Sequence, residues 1–384
     1  MNADFLKKLV KSSSVCQAIN ANLKSQALIR KYRSICRKYE SLPESSLHDS
    51  EVSWKADLPK GAIPKILWIG ADKSQDFTGF YQDLSSDFDC KYFTRSDGSY
   101  GQYPWLGGSD DVRELNLLRL EELLSDFKLN GWEPDYILTQ CWGFSFNTQD
   151  FLKLKSKSKF KLINISMDDR LNFVEYSRKL GAEVGLLEFG KICDLVLTTT
   201  KEASHWYHCE GVRAMYLPLA SSTEFYHPLE VVKRYDVGFI GNCYGYRKTL
   251  VEFLQRSGIS IVAHGKGWPD GMLQFVDNNK FFNECKIVLG IGTVGHTKNF
   301  FTLKLRDFDA PMSGACYVTH HNEDLLEFFE PNKEIVLCKN ANDFLNKINY
   351  YLKHPEEREK IATAARKRAL ADHQYRQRFK SIFK

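Results

Sequence analysis

Hydrophobic and polar positions divide this chain into strand-sized and helix-sized blocks that alternate. Short apolar runs at residues 63–70, 90–93, 134–141, 160–165 and 195–200 lack the apolar/polar alternation of a strand wetted on one face, so they predict buried parallel strands. Helical spacing separates them, at residues 79–86, at 201–209 and most strongly at 109–130. In the last, Leu115, Leu118, Leu123 and Phe127 lie on one side behind an Asp110/Asp111 start. After the turn-rich residues 221–228 the pattern begins again. Strands are predicted at 235–240, 260–263, 287–290, 315–319 and 334–337, with a helix over 249–256 turning Leu250, Phe253 and Leu254 inward. Two such series predict an α/β protein with two doubly wound parallel sheets.

The flanks read differently. Residues 4–40 are helical but weakly amphipathic, with Val15, Ile19, Leu23 and Leu28 near a period of four and Ser12-Ser13-Ser14 interrupting; residues 41–62 form a linker. Residues 95–108, rich in Gly, Ser, Tyr and Trp, predict a loop over a ligand cleft. From residue 341 the chain is helical, and Pro355 divides two helices. The expected organisation is a basic extension (1–45), a first α/β domain (63–228), a second (229–352), and basic C-terminal helices (353–384).

Composition supports two cores: 384 residues at 43% hydrophobic exceed the roughly 250 residues that one core serves. No apolar run approaches the roughly 20 residues of a membrane span, and no signal-peptide stretch opens the chain, so a soluble, cytoplasmic protein is expected. The ten cysteines are scattered without a Cys-x-x-Cys pair, which excludes a disulfide framework or a zinc knuckle. Net charge is +5 but uneven: residues 1–40 carry nine Lys/Arg against two acids and residues 353–384 ten against four, leaving the middle acidic. Basic ends fit an anionic surface, either the inner face of a membrane or a nucleic acid; two solvated helices are the plain alternative.

Candidate chemistry gathers at strand ends. Gly241-Asn242-Cys243-Tyr244-Gly245-Tyr246-Arg247 leads from a strand into a helix, where small residues, helix-terminal amides and Arg247 suit a phosphate. Gly265-Lys266-Gly267-Trp268 follows the next strand. Either could be an ordinary turn. In Lys304-Leu305-Arg306-Asp307-Phe308-Asp309-Ala310-Pro311-Met312-Ser313-Gly314, two cations suit a diphosphate and Asp309 can accept from two ribose hydroxyls, although an ion pair would use the same residues. Asp168-Asp169 stands at a strand end of the first domain, as a general base or a helix cap, with Asp72 and Asp76 next in line. His205-x-x-His208-Cys209 has no matching pair to complete a zinc site.

In combination, residues 237–242 with Arg247, residues 265–268, residues 303–314 and the closing Arg368-Ala369-Leu370-x-x-His373 resemble the C-terminal half of GT-B glycosyltransferases, closest to the spore-maturation-protein-like group. The resemblance covers about residues 190–380 and only loosely the first domain. It implies two Rossmann-like domains facing across a cleft, with the helices of residues 353–384 packing back on the first, and a nucleotide-diphosphate sugar as co-substrate. Donor contacts would come from Gly241, Asn242, Arg247, Lys266, Gly267, Lys304, Arg306, Asp309 and Gly314, with Asp168 or Asp169 as base. Asp309 matches the second acid of the E-x7-E motif of retaining members; Phe301 stands where the first would be, so the full motif is absent. Such enzymes neutralise the leaving diphosphate with cations, so no metal or other cofactor is expected. The implied reaction is sugar transfer to a hydroxyl of a glycan, a lipid-linked glycan, a protein or a modified DNA base. A nucleotide-sugar epimerase of the same build and a non-catalytic nucleotide-sugar-binding protein are the alternatives.

Overall fold

The computed structural model describes residues 13–40, 54–104, 111–297 and 301–384. They form two compact units dividing at Pro218/Leu219. One comprises residues 27–218 with 378–384; the other comprises 219–377 with the described stretch up to Gln26.

In the unit built on residues 27–218, six strands run in the order β2-β1-β3-β4-β5-β6. These are β1 (Lys65–Ile69), β2 (Asp89–Tyr92), β3 (Tyr136–Thr139), β4 (Lys161–Ser166), β5 (Leu195–Thr198) and β6 (Ala214–Tyr216), all parallel. Ile66 to Ile69 and Ile137 to Leu138 are fully buried, as expected of strands covered on both faces. β6 was not anticipated from the sequence, because a three-residue edge strand leaves too short an apolar run to read. In the helix Asp111–Leu129, Leu120 and Leu123 face the core, with Leu117, Leu124 and Phe127 beside them. Leu115 and Leu118, predicted to point inward, are exposed instead. Leucines surround this helix, and the sheet rather than the periodicity selects the buried side.

The other unit has five parallel strands in the order β8-β7-β9-β10-β11: β7 (Tyr235–Ile240), β8 (Ile261–His264), β9 (Cys285–Leu289), β10 (Cys316–His320) and β11 (Val336–Cys338). Gly238, inside β7, shows why this strand needs a glycine. A Cβ there would lie 2.2 Å from Cys285 Sγ and 2.9 Å from the Phe281 ring, so its absence lets the helix Asn278–Glu284 seat closely. In both sheets the chain order reverses beside the first strand, between β1 and β3 and between β7 and β9. Open α/β sheets collect ligands at that switch point, outside the carboxyl ends of the strands.

The N-terminal helix Ser14–Glu40 buries Ser25, Leu28 and Tyr32, and Tyr32 stacks on Trp206 with centroids 5.3 Å apart. Val15, Ile19 and Leu23, placed with Leu28 on one stripe by the sequence, are exposed. The helix Pro355–Asp372 packs on the helix Arg306–Met312 and on β10. At the C-terminus, Phe383 packs its ring against Phe88 and Tyr136, and Lys380 pairs with Asp87 at 3.1 Å, all within the unit of residues 27–218. The closing Arg368 and His373 both bond the carbonyl of Phe328, so this part of the family resemblance is a device that anchors a helix.

Candidate functional site

At the switch point of the unit of residues 219–377, three loops leave the carboxyl ends of β7, β8 and β9. The first two are zipped together. Gly241 N–H donates to His264 O (2.8 Å), Cys243 N–H to Lys266 O (2.9 Å), Lys266 N–H to Asn242 Oδ1 (3.1 Å), and Trp268 Nε1–H to Gly241 O (2.6 Å). Gly265 must be glycine here: φ is +142° and a Cβ would fall 2.5 Å from Gly241 O. The structure therefore brings Gly241, Asn242, Lys266 and Gly267 into one loop pair. The Lys266 side chain is exposed.

Arg306 opens the helix Arg306–Met312 and extends over this edge. Its Nη2 donates to Ile291 O (3.1 Å), its guanidinium carbon lies 5.0 Å from the Phe239 ring centroid, and its Nη1 is 3.1 Å from where a Cβ of Gly241 would stand. Arg306 Nε has no hydrogen-bond partner among the described residues. A guanidinium held by a carbonyl and an aromatic face, with donor capacity left over, has the chemistry to take anionic oxygens. Gly290-Ile291-Gly292, which presents that carbonyl, was missed in the sequence. The glycine-at-strand-end argument applied to residues 241 and 265 would have found it.

Other expected donor residues are placed differently. Arg247 is buried in the first turn of the helix Gly245–Arg256, with its guanidinium 4.6 Å from the Tyr244 ring centroid; it supports the loop from within. A Cβ at Gly245 would meet His296 Cα at 3.0 Å, so the loop carrying His296 closes against the start of this helix. Lys304 precedes the helix of Arg306 and gives its backbone N–H to Asp307 Oδ2 (2.6 Å), while Asp307 Oδ1 accepts from Tyr317 (2.5 Å). Asp307 is thus the acid that fixes the helix start, and burial pushes its carboxyl up.

Asp309 is buried, and its Oδ1 accepts from Ser221 Oγ–H at 2.7 Å. Burial holds its carboxyl well above the usual range, with the Ser221 bond and Arg306 pulling the other way. As folded, this acid ties the helix to the segment at Ser221, a partner 88 residues away that no local pattern could reveal. Gly314 is corrected outright as a donor residue. It ends the helix at φ +75° against Pro228 and stands at the amino end of β10, the edge opposite the loops above. Phe301 bridges to Thr293 and sets its ring 5.0 Å from His320, whose imidazole burial pushes down to about 4.

In the unit of residues 27–218 the adjacent acids separate in role. Asp169 is fully buried and accepts from Ser166 (2.7 Å), Thr198 (2.8 Å) and Tyr207 (3.0 Å). Three hydroxyl donors engage both of its oxygens, so it locks the ends of β4 and β5. Asp168 is half-buried and holds the left-handed conformation at φ 60°, unusual for a residue with a side chain. Asp76 lies in a π-helical turn, Asp76–Phe80, beyond the carboxyl end of β1. It is fully buried beneath Gly70, accepts from Tyr100 Oη–H at 2.6 Å, and burial pushes its carboxyl up to about 7. His208 spends Nε2 on the backbone of Ala214, and no group of three His, Cys, Asp or Glu that could hold a metal occurs among the described residues.

A family model described as glycosyl transferase-like matches residues 247–384. No curated protein matches the chain. Among solved structures, sucrose-phosphate synthase from Thermosynechococcus elongatus is similar at 11% identity and a TM-score of 0.60, covering 83% of this chain and 98% of that one. HepE from Anabaena, solved with UDP-glucose, gives 12% and 0.54 over 83% and 99%. A putative UDP-N-acetylglucosamine 2-epimerase from Listeria monocytogenes gives 12% and 0.50 over 83% and 98%. The likeness to these structures shows a GT-B fold for the chain, and residues 247–384 match the glycosyl transferase-like family model.

Proposed function

We propose that this protein transfers a sugar from a nucleotide-diphosphate sugar to an acceptor hydroxyl of a glycan. The observation that carries the reading is Arg306, poised over Gly241 at the switch point between β7 and β9. A diphosphate leaving group gathers negative charge as the glycosidic bond breaks. A cation fixed beforehand, at an edge where glycine lets backbone approach, stabilises that charge without reorganisation. The acceptor oxygen attacks the anomeric carbon, the nucleoside diphosphate departs, and the acceptor proton passes to a carboxylate. Asp168 is the accessible member of the acid pair and takes that role. The UDP-glucose bound to the HepE neighbour makes a uridine nucleotide the first donor to try.

The test is turnover of a panel of UDP-, GDP- and CMP-sugars, with and without glycan acceptors. Transfer that requires an acceptor and is lost in Asp168→Asn supports the proposal. The epimerase neighbour supports a second reading, which needs no acceptor; a new sugar isomer from donor alone would establish it instead. Absence of any turnover by a protein that binds the nucleotide would leave a binding protein.

A further inference from the structure

The N-terminal helix Ser14–Glu40 is seated by one side and open on the other. Ser25, Leu28 and Tyr32 are its buried side, with the Tyr32 ring stacked on Trp206 and edge-on to Phe173, centroids 5.5 Å apart in the latter pair. The opposite side is a single row. Val15, Ile19, Leu23, Gln26, Arg30 and Arg33 follow one another three or four residues apart, and every one of them is exposed. Val15, Ile19 and Leu23 are 64%, 55% and 61% exposed, although the aliphatic stripe of a helix ordinarily faces a core. They cannot turn inward without lifting Tyr32 off Trp206.

Charge on this helix has one sign. It holds no acid before Glu40, and Lys31, at the side of the row, is paired with Glu210 at 2.9 Å. Arg30 and Arg33 continue the line that the three aliphatic side chains begin. At 1.5 Å per residue, the row is apolar over about its first 12 Å and basic farther along.

We propose that this face docks on an anionic lipid bilayer, with Val15, Ile19 and Leu23 entering the boundary between headgroups and acyl chains while Arg30 and Arg33 take lipid phosphates. A bilayer surface meets both halves of the row at once. A nucleic acid would satisfy the arginines and leave three aliphatic side chains in water. A second copy of the helix laid parallel would bring arginine against arginine, and laid antiparallel it would set arginines on the aliphatic half. No helix among the described residues is long and apolar enough to cross a membrane, so the helix lies on the surface. The proposal stands apart from the glycosyltransferase reading, because none of these residues belongs to the Arg306 edge or to the acid pair.

Flotation of the full chain with phosphatidylcholine vesicles, with and without phosphatidylglycerol, tests this. The expected result is binding only where phosphatidylglycerol is present, weakened about tenfold or more in the triple variant Val15→Gln/Ile19→Gln/Leu23→Gln and in Arg30→Gln/Arg33→Gln. Glutamine keeps the helix propensity at these exposed positions. If the triple variant melts early, the arginine pair decides the matter. No binding to either vesicle, equal binding to both, a well-folded variant that binds like the wild type, displacement by a duplex oligonucleotide, or a dimer in light scattering that the aliphatic substitutions dissolve would overturn the proposal.

Discussion

The two sheets share a strand order around their switch points and differ in the chemistry placed there. At β7 and β9, glycines at 241, 265, 290 and 292 thin the backbone, and Arg306 supplies a positive charge with unused donor capacity. At β1 and β3 a protonatable Asp76 sits beneath Gly70, and a cavity lined by aromatic side chains and carboxamides stands beside it. One topology therefore carries either of two kinds of surface at its switch point. Side chains at the strand ends, and not the fold, decide which.

The sharpest way to break this contrast is through Asp76. Its folded value is raised from 3.8 to about 7, with burial the main cause. Below about pH 4 both folded and unfolded chains hold the proton and nothing is lost. As pH rises towards 7 the unfolded chain ionises first, so this residue makes the fold progressively less stable, by on the order of 4 kcal/mol at most. Asp76→Asn never ionises, and its amide oxygen can still accept from Tyr100. Thermal melts from pH 4 to 8 should show the variant gaining on the wild type as pH rises; parallel curves would remove the buried, neutral acid from the account.

Asp309 gives the next effect. Asp309→Ala strands the Ser221 hydroxyl in a buried place and should cost roughly 1–3 kcal/mol of stability in denaturant melts. Ser221→Ala should cost about 1 kcal/mol and leave nucleotide affinity unchanged. A marked gain in affinity in that variant would mean that freeing the carboxylate lets it reach the ribose, restoring the role expected from the sequence. The smallest effect belongs to Lys266, whose exposed side chain lies on the zipped loop. Lys266→Ala should change nucleotide affinity less than about threefold, measured at two salt concentrations.

These cases also show what the sequence could reveal. The strand Tyr235–Ile240 and the helix Lys201–Cys209 are read from local pattern alone, and the Gly241 and Arg306 motifs point to one edge because glycine and arginine carry recognisable physical demands. The failures are non-local. The burying face of the helix Asp111–Leu129 was set by the sheet, the Ser221 bond to Asp309 spans 88 residues, and Gly314 looks like any loop glycine until the strand it precedes has a direction. The cavity beside Gln140 rests on Asn116 joining two loops far apart in the chain, which no spacing announces.

The most direct measurement is calorimetric titration of UDP into the wild type and into Arg306→Ala. The account predicts saturable binding to the wild type and a loss of about ten- to hundredfold in the variant, as for a charge-assisted hydrogen-bonding group removed from a phosphate site. Equal affinity in the two proteins would contradict it.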